Sequence, residues 1–217
     1  MPLLAMLSVC CAYLLAFADR AKVDNDMVHI VEVVNAPHST RTMSRHECNR
    51  VLISLGAANI QRTDAHGHTS YQHLELGQVL WIPTGETYAS ENVGSAPTQF
   101  VEIELKKNGP ANPAGRSPDL DPIAIDPEHN ALLLENEQVR VFRSWREPGG
   151  TEKMHQHTGA GRVAVLLTDL NANVKVAGGS TSAVRASFGD VLWSGPVTHA
   201  TTNLGSRRLD MVVVEVK

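Results

Sequence analysis

The chain has 217 residues, 42% hydrophobic and 19% charged, which is enough apolar material for a packed core and excludes a disordered polyelectrolyte. With 19 Lys+Arg against 23 Asp+Glu the formal net charge is −4, so the basic footprint of a nucleic-acid binder is absent. No run reaches the ~20 apolar residues that span a bilayer, and the length suits two domains of roughly 100 residues each.

The segment Leu3 to Ala18 is uncharged and mostly apolar, and it closes on Ala16-Phe17-Ala18 directly before Asp19 and Arg20. An apolar stretch ended by A-x-A is what signal peptidase reads. Residues 1–18 are therefore expected to be a signal peptide, with the mature chain starting at Asp19 in a periplasmic or secreted location. Met1 and Pro2 supply no Lys or Arg ahead of the apolar run, and the alternative is a buried helix or strand. Cys10 and Cys11 fall inside this segment. Cys48 is then the one mature cysteine, so no internal disulfide is expected, and with no activating partner in view it reads as packing.

Beyond Asp19 the chain is a succession of short β-branched or alternating runs: Val28 to Val34, Arg50 to Leu55, Phe100 to Leu105 and Val139 to Phe142. Asp24-Asn25-Asp26, Gly149-Gly150, Asn171-Ala172-Asn173 and Gly178-Gly179 mark turns. Many short strands with frequent turns predict an all-β sandwich or barrel. Glu102, Glu104 and Glu215 alternate with apolar neighbours and read as a solvated strand face. Asp64-Ala65-His66-Gly67-His68 falls in a turn, where a histidine pair reads as solvated. Between Lys107 and Pro122 lie four prolines and two glycines, the composition of a linker.

The segments flanking that linker repeat one another. Val28, Pro37, Thr40, Met43 and His46 recur as Val139, Pro148, Thr151, Met154 and His157, 111 positions later. Arg50-Val51 recurs as Arg162-Val163, and Gly77, Val79, Leu80 and Trp81 recur as Gly189, Val191, Leu192 and Trp193, now 112 positions later. Asn92, Gly94, Val101 and Glu104 return to the offset of 111 at Asn203, Gly205, Val212 and Glu215. A register kept through one insertion and one deletion indicates two copies of one β domain. The expected organisation is a signal peptide over 1–18, a first domain over 19–106, a linker over 107–122 and a second domain over 123–217.

The repeated unit resembles the cupin superfamily, whose domains carry G-x5-H-x-H-x4-E-x6-G and G-x5-P-x-G-x2-H-x3-N on a small jelly-roll barrel. In the second copy Gly149, His155, His157, Arg162 and Asp169 follow the first spacing, with Arg in place of Glu. Gly189 to Asn203 follows the second spacing one residue short and keeps His199-x3-Asn203. In the first copy Gly77 to Tyr88 fits the second motif with Tyr88 in place of His, and the first motif is reduced to Ser44, His46, Arg50 and Ala57. The resemblance implies two tandem cupin barrels (double-stranded β-helix, jelly-roll) spanning nearly the whole mature chain. It does not fix an activity, because one fold hosts many chemistries.

Residues i and i+2 of a strand share a face, so His155 and His157 are expected to enter the second barrel together, and His199 from another strand can complete three imidazoles. Such a set suits a single divalent ion (Fe, Mn, Ni or Zn) and leaves coordination positions open. Arg162 opposes it: +1 and +2 charges ~5 Å apart at an effective dielectric of ~20 repel by roughly 6 to 7 kcal/mol. A carboxylate gripped by the guanidinium would relieve that repulsion. Trp193 and its counterpart Trp81 read as core or pocket wall, which makes Arg162 and Trp193 the candidate substrate-binding residues of the second barrel.

The degenerate site of the first barrel, Ser44, His46, Arg50 and Tyr88, offers one imidazole and is not expected to bind metal. There the readings are a packing scaffold or a metal-free pocket in which Arg50, Tyr88 and His46 hold an anion. For the whole chain two functions remain. One is an exported metal-dependent cupin of dioxygenase or isomerase type acting on a small organic acid. The other is a non-catalytic, metal-free ligand-binding or scaffold bicupin. Either takes a small-molecule partner, with no nucleic acid and no membrane span, as a monomer or homodimer.

Overall fold

The computed structural model describes residues 17–107 and 117–217. Residues 1–16, most of the expected signal peptide, and 108–116 of the expected linker lie outside the described residues. Phe17 and Ala18, the last two residues of the expected signal peptide, open the first strand opposite Asn35 and Val34.

The first half gives β1 (Phe17–Asp24), β2 (Val28–Asn35), β3 (Thr40–Arg45), β4 (Asn49–Ser54), β5 (Ala58–Asp64), β6 (Thr69–Leu74), β7 (Val79–Ile82), β8 (Thr87–Asn92) and β9 (Thr98–Leu105). The second gives β10 (Asn130–Glu135), β11 (Val139–Arg146), β12 (His155–His157), β13 (Gly161–Leu166), β14 (Leu170–Val176), β15 (Thr181–Ala186), β16 (Val191–Ser194), β17 (Val197–Asn203) and β18 (Leu209–Val216). Sheets β1-β2-β9-β4-β7 and β3-β8-β5-β6 form one half, and β10-β11-β18-β13-β16 and β12-β17-β14-β15 the other. Each strand of the second half has its counterpart nine strands earlier in the same place, so the sequence repeat is a repeat of topology. All strand pairs are antiparallel, and Ser44 faces Tyr88 as His155 faces His199.

The end of the expected linker is ordered. Pro118–Leu120 is a 3-10 turn and Pro122–Ile125 a single helical turn, α1. Asp121 caps α1 by accepting from the Ile123 and Ala124 amides. The same carboxylate receives both terminal nitrogens of Arg140 on β11, at 2.7 and 3.1 Å. Among the described residues no helix is long and apolar enough to cross a membrane.

The largest apolar cluster lies between the two halves rather than inside either. Val51, Ile53, Val101 and Ile103 of the first five-stranded sheet pack in one cluster with Val163, Val165, Val212 and Val214 of the second, all fully buried. Each such side chain contributes about 1.5–3 kcal/mol relative to exposure. Gly77, at φ +78°, lies so close to the other half that a Cβ there would meet Leu167 Cδ1 at 2.6 Å. Two smaller clusters line the barrels: Val33, Ile60, Leu74 and Phe100 in the first, and Phe142, Leu166, Met211 and Val213 in the second.

This sandwich corrects the reading of the glutamates. β9 and β18 have one face on the other half and one face inside their own barrel, and neither face is solvated. Glu215 is 1% exposed, and Glu102 and Glu104 are mostly buried against Arg50, each 2.7 Å from it. The histidines of the Asp64–His68 turn are exposed, as expected, with His68 Nδ1 3.1 Å from Asp64.

Candidate metal centre

β12 is only three residues long, and its alternation turns His155 and His157 inward while Gln156 points away. β12 pairs with β17 so that His155 lies opposite His199. The three imidazoles are all buried. His155 Nε2 is 3.0 Å from His157 Nε2, and His157 Nε2 is 3.1 Å from His199 Nε2.

The other ring nitrogens fix what these contacts are. His155 Nδ1 donates to the Lys153 carbonyl at 2.9 Å. His157 Nδ1 donates to Glu215 Oε1 at 2.8 Å. With a hydrogen at Nδ1, each ring turns its Nε2 into the cluster, where a ring without a second proton presents a lone pair. Two lone pairs facing each other at 3.0 Å repel unless a cation or proton lies between them. Burial, then the nearby Arg162 guanidinium, pushes His199 down to about 2, so this ring stays neutral. His199 Nδ1 is buried without a hydrogen-bond partner.

The donor set therefore fits a metal ion. Nitrogens 3.0–3.1 Å apart with bonds of about 2.1 Å subtend about 90–95° at the ion, whereas a tetrahedral site would separate them by about 3.4 Å. His157 thus stands from each of its two neighbours at the separation of adjacent octahedral positions rather than tetrahedral ones.

Two buried carboxylates flank the cluster, and the sequence reading missed both as site residues. Glu215 orients His157 and lies 3.9 Å from Arg140. Glu152 Oε2 accepts from the Thr201 amide at 3.0 Å and is 4.0 Å from His155 Nδ1, while Arg146 Nη2 stands 3.7 Å from Glu152 Oε1 and 3.0 Å from Asp126. Arg162, on β13 opposite Glu215, lines the same cavity of about 190 Å³ together with Trp193. Its guanidinium makes no ion pair with any described residue, and its Nε is buried without a partner. Burial lowers the Arg162 pKa from the usual arginine value, against the opposite pull of Glu152 and Glu215. The cation feared next to the histidines is thus accompanied by two anions.

The first barrel brings Ser44, His46, Arg50 and Tyr88 to the matching places around its own cavity. His46 lies 4.9 Å from the Tyr88 ring, and burial, then Arg50, holds its pKa below the usual histidine value. Arg50 is not available to an anion as expected, because Glu102 and Glu104 clamp it from the neighbouring strand β9. Among the described residues the His155, His157 and His199 cluster is the one group of three or more such side chains able to share an ion.

No family model matches the sequence, and no curated protein matches it. Solved structures match in shape. AerE from Microcystis aeruginosa aligns with a TM-score of 0.65 at 10% identity, over 93% of this chain and 98% of that one. A deletion mutant of Bacillus subtilis oxalate decarboxylase OxdC aligns with a TM-score of 0.63 at 12% identity, over 88% of this chain and 68% of that one. A structure of the same enzyme described for its Mn(II) centres aligns with a TM-score of 0.63 at 12% identity, over 88% of this chain and 69% of that one. The repeated nine-strand topology and these matches agree: the chain has a two-barrel, all-β fold like that of AerE and of oxalate decarboxylase.

Proposed function

We propose that the second barrel holds one divalent ion on His155, His157 and His199, and that Arg162 draws the carboxylate of a small organic acid to the same cavity. The observation that carries this reading is the convergence of Nε2 lone pairs, each of the first two rings having its proton committed at Nδ1. When bound, the ion would supply a Lewis acid with open positions for an oxygen ligand. Arg162 binds and orients: it is a fixed cation with no ion-pair partner of its own, in a cavity of about 190 Å³ that admits only a small acid. Glu215 holds the His157 proton at Nδ1, and Trp193 closes the wall. The Mn(II) centres described for Bacillus subtilis oxalate decarboxylase support a metal in this fold. A dioxygenase or isomerase chemistry is compatible with such a centre.

The rest of the reading belongs to the same proposal. Residues 1–18 would direct export to the periplasm or outside the cell, supported by the A-x-A end of the apolar run. Protein recovered from its host should then begin at Asp19. Domain limits of 19–106 and 123–217 follow the repeat.

One observation favours the second reading, a metal-free binding module: Arg162 is close enough to His199 to depress its pKa, and an ion there would feel that charge. The variant Arg162→Glu separates the two. On the metal reading it removes the repulsion and adds a ligand oxygen, so Mn(II) or Fe(II) should bind more tightly than to the parent. If neither protein takes up metal, the metal reading falls and the binding module stands.

A further inference from the structure

The first barrel encloses the larger cavity, about 590 Å³ against about 190 Å³ in the second. The repeat explains the difference. At the offset of 111 Val31 stands where the second barrel has Phe142, whose ring stacks on His157 at 6.2 Å, and Ser44 stands where it has His155. Smaller side chains leave the space open. Its inner part is apolar, built by Val33, Ile60, Leu74 and Phe100. A volume of this size is that of a ligand pocket rather than a packing defect.

The polar part of the cavity has also been exchanged. Arg41 replaces Glu152, and Arg62 replaces Val174, at offsets of 111 and 112. Two of the three arginines that matter are engaged: Arg41 reaches both oxygens of Asp19 at 2.9 and 2.6 Å, and Arg50 is clamped by Glu102 and Glu104. Arg62 is not. Its guanidinium carbon lies 4.6 Å from the centroid of the Tyr88 ring, and it makes no ion pair or side-chain hydrogen bond with any described residue. An aromatic face supports a cation without neutralising it. Close by, His46 Nε2 is buried and without a partner. Burial also raises the Glu102 pKa, which lowers the negative charge that an incoming anion meets.

We propose that the first barrel is a metal-free binding site for an amphiphilic carboxylate, its headgroup on Arg62 over Tyr88 and its apolar body, of roughly eight to twelve heavy atoms, on the Ile60, Leu74 and Phe100 wall. The site replaces the scaffold reading of this barrel, and Arg62 takes the part that the sequence assigned to Arg50. It does not depend on metal in the second barrel.

The test is calorimetric titration of the full chain with octanoate, and with octylammonium for comparison. Saturable binding of octanoate, tighter than that of octylammonium, is expected. Arg62→Gln should weaken it about tenfold or more, and Arg62→Lys should restore most of the loss. Intermolecular NOEs from octanoate to the Ile60 and Leu74 methyls of the parent place the ligand without any variant. The proposal is overturned if octanoate does not saturate, if a folded Arg62→Gln binds it as the parent does, if octylammonium binds as well, or if the NOEs go to Leu166 and Val213 of the second barrel. Metal content of the second barrel is a separate readout, so either proposal can fail alone.

Discussion

Replacing Glu215 with Gln keeps the shape of a buried side chain and removes the charge that orients His157. The Glu215 carboxylate is 2.8 Å from His157 Nδ1, so an ion held by Nε2 would feel it across one imidazole, about 6–7 Å away. At an effective dielectric of ~20 the attraction between −1 and +2 charges at that distance is roughly 5 kcal/mol before relaxation. Outer carboxylates of this kind are found to be worth about 10- to 100-fold in metal affinity, or ~1.4–2.7 kcal/mol, because solvent and neighbouring charges absorb part of the field. Arg140 is not orphaned by the change, since Asp121 holds both of its terminal nitrogens. Competition of Mn(II) between the protein and a chelator should therefore show about 10- to 100-fold weaker binding for Glu215→Gln at an unchanged stoichiometry. Glu104→Gln, at the equivalent place of the first barrel, should leave Mn(II) affinity untouched. Equal affinity of parent and Glu215→Gln would refute the argument that the carboxylate sets the tautomer and field of His157.

Two further outcomes follow from packing and from protonation. Gly77→Ala places a Cβ 2.6 Å from the buried Leu167 of the other barrel at φ +78°, whereas Gly67→Ala adds one at φ +85° with nothing within 4 Å; denaturant titration should show the first to cost about 1–3 kcal/mol more than the second, and equal costs would contradict the inter-barrel contact. Burial holds His199 at about 2 in the folded chain, so the unfolded chain binds a proton there below ~6.5 that the folded chain does not; the stabilisation is present above about pH 6.5 and is lost as pH falls, at up to ~1.4 kcal/mol per pH unit. Chelator-treated protein should lose urea resistance between pH 7 and 5, His199→Gln less steeply, and parallel slopes would sink the assignment.

The repeat, the jelly-roll halves and the inward pair His155 and His157 were legible because each rests on spacing: an offset kept through an insertion, and strand alternation. What was not legible rests on how the halves meet. Glu215 alternates with valines as a half-exposed strand would, and only the second barrel on the far side of β18 makes both of its faces interior. The unbroken run Val212-Val213-Val214 beside it is the pattern of a strand buried on both faces, which the alternation reading passed over. Glu152 lies in the irregular stretch between Gly149 and His155, which meets β17 at an isolated bridge from Thr151 to Thr202 rather than as a regular strand, and no periodicity aims it. The anion-pocket alternative for the first barrel included Arg50 because its partners come from β9, some 50 residues on. The register that puts Arg50 opposite Glu104 is a tertiary fact.

The central claim is that three histidines of the second barrel hold one ion, and elemental analysis of untagged protein tests it most directly. The parent, loaded with Mn(II) or Fe(II) and dialysed, should retain about one divalent ion per chain, and His155→Ala/His199→Ala should retain none. Retention by the double variant equal to that of the parent, or no retained metal in either protein, would contradict it.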